Sequence, residues 1–178
     1  GWTLGERHFN WAALKSRRDA EVTRLEGIYR NNLLASGVQI LTGRGVLKDR
    51  NTVAMEDGTQ LRGDHILIAT GATPTGATDT KGHELSIDSN GFFDLEVLPK
   101  RVVVQGAGYI ALELACVLQR LGASVRMVVR GDNILRGFDD GVRAHLLHEL
   151  KDSGLTFDFG RTISAINQTG DGLEVQLD

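Results

Sequence analysis

The sequence predicts an α/β fold built on a parallel sheet, preceded by a long helix and short strands. Three observations predict it. First, an apolar run at 101–105 meets the glycine turn "GAGYIA", which opens an amphipathic stretch, and a second apolar run at 124–129 follows Gly122. That is the order of a strand–helix–strand crossover, whose parallel strands need covering helices. Second, residues 9–37 repeat apolar side chains at three- and four-residue steps, the period of a helix face. Third, Asp57-Gly58 separates two alternating segments, a tight-turn signal between antiparallel strands.

Taken in chain order, Asn10 suits the helix N-cap because its side-chain oxygen can accept a free N–H of the first turn. Phe9 and Leu14 have the spacing of a hydrophobic staple. Trp11, Leu14, Val22, Leu25, Ile28, Tyr29 and Leu33 make one apolar face, expected to turn toward a core, and Gly37 suits the stop. Strand-like pieces follow in "VQILTGRGVLK" and "TVAMEDGTQLRGDHILIATG". Within the second, "HILIATG" is continuously apolar, which suits a strand buried on both faces whose end lets backbone approach a ligand. Periodicity is lost over 72–99, where Gly, Thr, Asp and Pro mark a connector. Beyond it the pattern predicts strand 101–105, helix 109–120, strand 124–129, helix 139–151 and short strands at 156–159, 163–167 and 173–177.

Composition narrows the function classes. A chain of 178 residues with 41% hydrophobic and 24% charged side chains can bury a real core. A net charge of −3 gives no electrostatic case for nucleic acid or an anionic membrane. No apolar run is long enough to span a bilayer and no signal-peptide pattern opens the chain, so a cytoplasmic protein is expected. One cysteine, Cys116, cannot form an intrachain disulfide, a CxxC pair or a structural zinc site. It reads as a small buried hydrophobe. His145 and His148 read as solvated helix residues, and no metal site is expected.

Gly106, Ala107, Gly108, Tyr109, Ile110 and Ala111 spell G-x-G-x-x-A between a strand and a helix. The first glycine permits the tight turn and the second lets backbone approach a pyrophosphate. The small third position lets helix pack on strand, and the helix N–H groups favour the phosphates. A merely structural glycine turn is the alternative, and the strand–turn–helix context favours the dinucleotide site. An NAD site commonly ends its second strand with Asp or Glu, which hydrogen-bonds the ribose hydroxyls. Here the strand ends Val128-Val129-Arg130, and Arg136 lies six residues further on. Two guanidiniums on one phosphate dianion would select NADPH, where a pair of solvated loop arginines would not. Tyr109 and Glu113 stand four apart and share a helix face. For Glu113 a buried structural ion pair and a functional role both remain open.

Together these residues resemble the class I flavoprotein disulfide reductases of the pyridine nucleotide-disulfide oxidoreductase family. "GAGYIALELA" is similar to that family's nucleotide turn and "VVRGDNILRGFD" to the 2′-phosphate loop of its NADPH-using members. "RLEGIYRNNLLASGVQILTGRGVL", "DHILIATGATP" and "SIDSNGFFDLEVLPKRV" are similar to the stretches before the turn, so the resemblance covers nearly the whole chain in order. The resemblance implies a partial FAD-binding domain over 1–76, a connector over 77–98 and a Rossmann-like NADPH-binding domain over 99–178, with a β-meander and stopping before its last strand. It implies that Gly106, Ala107, Gly108, Tyr109, Ile110, Glu113, Arg130 and Arg136 attend NADPH. Tyr109 would cover the nicotinamide pocket and Glu113 would position the nicotinamide end. Gly45, Thr70 and Gly71 would lie close to FAD.

The family's flavin turn, its redox disulfide and its dimerisation domain with a catalytic His–Glu pair find no match here, so no catalytic residue is expected in this chain. The parent protein is expected to be a homodimeric enzyme that reduces glutathione disulfide with NADPH through FAD, and this chain alone is expected to be inactive. The alternatives are a non-catalytic nucleotide-binding module, or a related reductase acting on lipoamide, trypanothione or mercuric ion. Lipoamide-type relatives use NAD with an acidic residue near the position of Val129, which this sequence lacks.

Overall fold

A computed structural model describes residues 5–6, 8–76, 78–170 and 172–178. The chain divides into two compact units, one formed by 14–73 and the other by 74–178 with 1–13.

In the larger unit, β4 (Arg101–Gln105), β5 (Ser124–Val129) and β6 (Thr156–Phe159) form a parallel sheet with β5 in the middle. Helix α3 (Tyr109–Arg120) joins β4 to β5, and α4 (Asp140–Asp152) joins β5 to β6. This is the α/β, Rossmann-type arrangement the crossover pattern predicts. Strand β5 shows why the sequence folds this way. Its side chains alternate between faces. Val125, Met127 and Val129 pack into one core with Leu112, Ala115 and Leu118 of α3 and Leu150 of α4. Val128 points the other way and packs with Ile163 and Ile166. Those two belong to the antiparallel hairpin β7 (Ile163–Thr169) and β8 (Gly172–Leu177), which supplies the expected meander as two strands.

The 77–98 stretch, expected as a connector, is more ordered than its composition suggests; its first residue, Ala77, lies outside the described residues. It carries a 3-10 turn, His83–Leu85, and a short helix α2 (Ser89–Asp94) capped by Asp88, whose carboxylate accepts from the N–H groups of Asn90 and Gly91. Phe92 is buried in the main core, edge-on to Trp11, whose indole N–H donates to the Leu95 carbonyl at 2.8 Å. Gly82 has φ +77 and runs so close to β7 that an added Cβ would lie 2.0 Å from the Ile166 carbonyl oxygen. Only glycine satisfies both conditions.

The unit of 14–73 is built differently. Helix α1 (Trp11–Ala35) starts at Asn10, whose side-chain oxygen accepts the Ala13 N–H at 2.9 Å. It stops at Gly37, φ +79, with Val38 N–H bonded to Leu33 and Gly37 N–H to Leu34. That is the Schellman pattern. Strands β1 (Gly45–Asp49), β2 (Thr52–Met55) and β3 (Gln60–Arg62) form an antiparallel sheet, turned between β2 and β3 at Asp57-Gly58. Three expectations are corrected. Phe9 sits edge-on to Trp11, and it and Leu14 are each about half exposed, so no buried staple forms. The apolar face of α1 contains no buried residue. Residues 65–71 are not a strand, and Leu67 is 89% exposed. Among the described residues of the unit no strand pairs with them, so their backbone has no ladder to join.

Candidate functional site

The sequence-predicted nucleotide residues gather at the C-terminal edge of the parallel sheet. Gly106 leaves β4 at φ +123, a conformation L side chains rarely adopt, and its N–H bonds the Val128 carbonyl of β5 at 2.9 Å. Gly108 is the N-cap of α3 in extended conformation, and an added Cβ there would meet nothing within 4 Å. Packing therefore does not require glycine at 108; its bareness leaves room for a ligand to approach the backbone. Ala111 packs against the core, which lets α3 lie close to β4.

The helix caps sharpen the point. Helices α2 and α4 each have an aspartate side chain bonded to first-turn N–H groups, Asp88 and Asp139. Helix α3 has no side-chain cap, so its first-turn donors have no such acceptor. Those donors and the helix dipole fit a pyrophosphate.

The arginine loop closes over the same edge. Ile134 is fully buried and Leu135 nearly so, although they stand in the polar run "GDNILRGFD". The Leu135 N–H donates to the Ala107 carbonyl at 2.9 Å, tying this loop directly to the glycine turn. Arg130 follows the last residue of β5 and Arg136 follows Leu135, both exposed. Thus two cations extend from segments hydrogen-bonded to the turn, and the strand end just before Arg130 offers Val129, buried and apolar, in place of a carboxylate. No sequence signal foretold the Leu135–Ala107 bond. The apolar pair inside a polar loop was the available hint that the loop is anchored inward.

On α3, Tyr109 is 60% exposed, and Ile110 and Glu113 are exposed as well. Within this chain Glu113 is therefore exposed and not part of the core. Cys116 leans on the core, partly buried, and burial raises its thiol above the ordinary range, with Arg120 opposing weakly. A scarce thiolate makes it a poor nucleophile. His145 and His148 are exposed, and among the described residues no cluster of His, Cys, Asp and Glu could hold a metal ion. Asp158 of β6 pairs with Arg126 of β5, whose Nη2 lies 2.7 Å from Oδ1. The Arg126 guanidinium lowers the Asp158 carboxyl below the ordinary aspartate value.

In the unit of 14–73, Gly45 opens β1 and packs against β2, where an added Cβ would lie 3.0 Å from Val53 Cγ1. Thr70 and Gly71 are exposed in the irregular stretch after β3, Gly71 with φ +72. No described helix is long and apolar enough to cross a membrane.

A crossover sheet with an uncapped glycine turn is a Rossmann-type α/β architecture. The model of the pyridine nucleotide-disulphide oxidoreductases matches residues 3–178, and the chain belongs to that family. Membership implies a nicotinamide nucleotide and a flavin as cofactors.

Among individual proteins, the chain is 39% identical over 177 residues to a glutathione reductase of Burkholderia cepacia, covering 99% of this chain and 39% of that protein. It is 34% identical over 177 residues to one from a Nostoc species, covering 99% and 38%. A third, from Schizosaccharomyces pombe, is 42% identical over 149 residues, covering 79% and 32%. The chain thus spans about two fifths of the length of the first two relatives. Its fold is similar to that of the HOCl-induced flavoprotein disulfide reductase RclA from Escherichia coli, with TM-score 0.82 at 22% identity over 95% of this chain and 40% of that one.

Proposed function

We propose that this chain is the NADPH-binding portion, with part of the FAD cradle, of a flavoprotein reductase whose substrate is glutathione disulfide. In this reading 99–178 is the NADPH-binding domain, 77–98 the connector and 1–76 part of the FAD-binding domain, in a parent enzyme that works as a homodimer. The observation that carries it is the arginine loop. It is hydrogen-bonded to the glycine turn through Leu135 and presents Arg130 and Arg136 where Val129 replaces an acid. A carboxylate there would repel a 2′-phosphate; two guanidiniums attract it with charge-assisted hydrogen bonds.

Each residue has a task it can perform from its observed position. The first-turn N–H groups beyond Gly108 take the pyrophosphate, and Gly106 and Ala107 shape the turn. Tyr109, Ile110 and Glu113, exposed on α3, are free to meet the nicotinamide end. Gly45, Thr70 and Gly71 serve the flavin side. When bound, NADPH supplies a hydride whose electrons pass by way of FAD to a disulfide. With a single cysteine the chain carries no dithiol of its own, and alone it reduces no glutathione disulfide. The relatives named glutathione reductase support this substrate over lipoamide, trypanothione or mercuric ion.

Calorimetric titration of this chain with NADPH and NADH tests the reading. NADPH is expected to bind more tightly, and Arg130→Ala and Arg136→Ala each to weaken it by about tenfold or more while leaving NADH nearly unchanged. Equal affinity for the two nucleotides would sink the NADPH assignment.

A further inference from the structure

We propose that Arg143, on the first turn of α4, is a positioning residue for NADPH selectivity that acts through the backbone of the arginine loop. The inference rests on the reading of Arg136 as a 2′-phosphate ligand. Arg143 itself is turned away from that task. Its side chain is only 16% exposed, and two of its nitrogens donate within the chain. Nε donates to the Ile134 carbonyl at 2.7 Å and Nη1 to Asp140 Oδ1 at 2.6 Å.

The carbonyl it holds belongs to the peptide that enters Leu135. Leu135 is the one described non-glycine residue with positive φ, +48, a region a bulky side chain rarely adopts. Such a conformation persists only where its surroundings over-determine it. Besides the Phe138 N–H on the Leu135 carbonyl, three restraints act on this peptide. The Leu135 N–H is bonded to the Ala107 carbonyl, and the Ile134 and Leu135 side chains are buried in the core. The third is Arg143, whose Nε–H bonds the Ile134 oxygen while Nη1 is anchored on Asp140. Since that carbonyl and the Leu135 N–H belong to one planar peptide, Arg143 and Ala107 hold the same plate by its two polar ends. Arg136 is the next residue, so its Cα leaves from a fixed direction. Without the Nε–H bond the plate is held at its N–H end alone, so it can tilt and Leu135 can shift toward negative φ, which re-aims Arg136 while leaving the glycine turn intact.

The consequence is selective. A ligand without a 2′-phosphate reads only the turn; a ligand with one reads the loop as well. Adenosine 2′,5′-bisphosphate and 5′-AMP differ by that phosphate alone, and calorimetry of the full chain with each gives a selectivity ratio. Arg143→Gln is expected to weaken the bisphosphate by about tenfold and 5′-AMP by less than about twofold. Arg143→Lys keeps the charge but lacks the planar fork, so it should recover only part of the ratio. If Arg143→Gln does not fold, the intermediate ratio in Arg143→Lys decides alone.

A ratio unchanged in either folded variant, or equal loss of both ligands in Arg143→Lys, overturns the inference. Arg136→Ala separates it from the underlying reading. Selectivity lost in Arg136→Ala but kept in the Arg143 variants removes only the positioning role, whereas an unmodified chain with no selectivity removes both.

Discussion

Residues 14–73 and 74–178 both carry apolar side chains in regular periods, yet only the second unit closes a core over them. In the parallel unit, Met127 and Ile134 are fully sealed, and β5 is packed on both faces. In the unit of 14–73 no described residue is buried, and Val22, Ile28, Leu33, Leu67 and Ile68 remain open to solvent. The difference lies in what each element is offered. A strand of a crossover unit finds its helices a few residues away in sequence. A long helix and a short antiparallel sheet can each be well formed locally, by caps and turns, without having anything to lie against. Periodicity reports a demand for burial; it does not report whether the same unit meets it.

Substitutions can break or sharpen this contrast. The largest effect is expected from Gly82→Ala, which adds a Cβ against the Ile166 carbonyl at positive φ. The parallel unit should lose about 4 kcal/mol in urea denaturation, since backbone on backbone cannot give way. Next comes the paired test of Met127→Ala and Leu67→Ala. The first empties a sealed position and should cost about 3 kcal/mol. The second changes a side chain 89% exposed and should stay within about 0.5 kcal/mol. Comparable costs would mean that the 14–73 unit buries more than its structure shows.

The smallest effect concerns the surface of the parallel sheet. Asp158→Asn removes the partner of Arg126 in an exposed pair, so its effect at neutral pH should be small. Its sign is testable. Because the folded-state Asp158 carboxyl lies below its ordinary value of 3.8, the contribution is present above that value and lost as pH falls through the lower one. Denaturation curves of the two proteins should therefore differ at pH 6 and converge in strong acid. Convergence at high pH instead would reverse the assignment.

The same contrast explains what was legible in the sequence. Strands β4, β5 and β6 and helix α3 lie where the patterns put them, because each signal agreed with its neighbours in the unit. The caps at Asn10 and Gly37 and the turn at Asp57-Gly58 are local chemistry and read equally well. Residues 65–71 failed because an apolar run states a preference for covered faces and cannot name a pairing partner. Glu113 stayed undecided for a related reason: an apolar helix does not say which of its faces is covered, and α3 buries only the stripe through Leu112, Ala115 and Leu118. At the nucleotide edge the glycines and arginines were visible as types. The bond from Leu135 to Ala107 was not, since backbone groups carry no letter in a sequence.

One detail of the parallel unit has a practical side. The chain contains a single thiol, Cys116, and it rests on the core midway along the helix that the glycine turn opens. Alkylating reagents need a thiolate and access, and burial restricts both. The rate at which Cys116 accepts a label therefore reports how closely α3 stays packed on the core. It needs no engineered site, and under the proposed NADPH reading it would slow when the nucleotide is added.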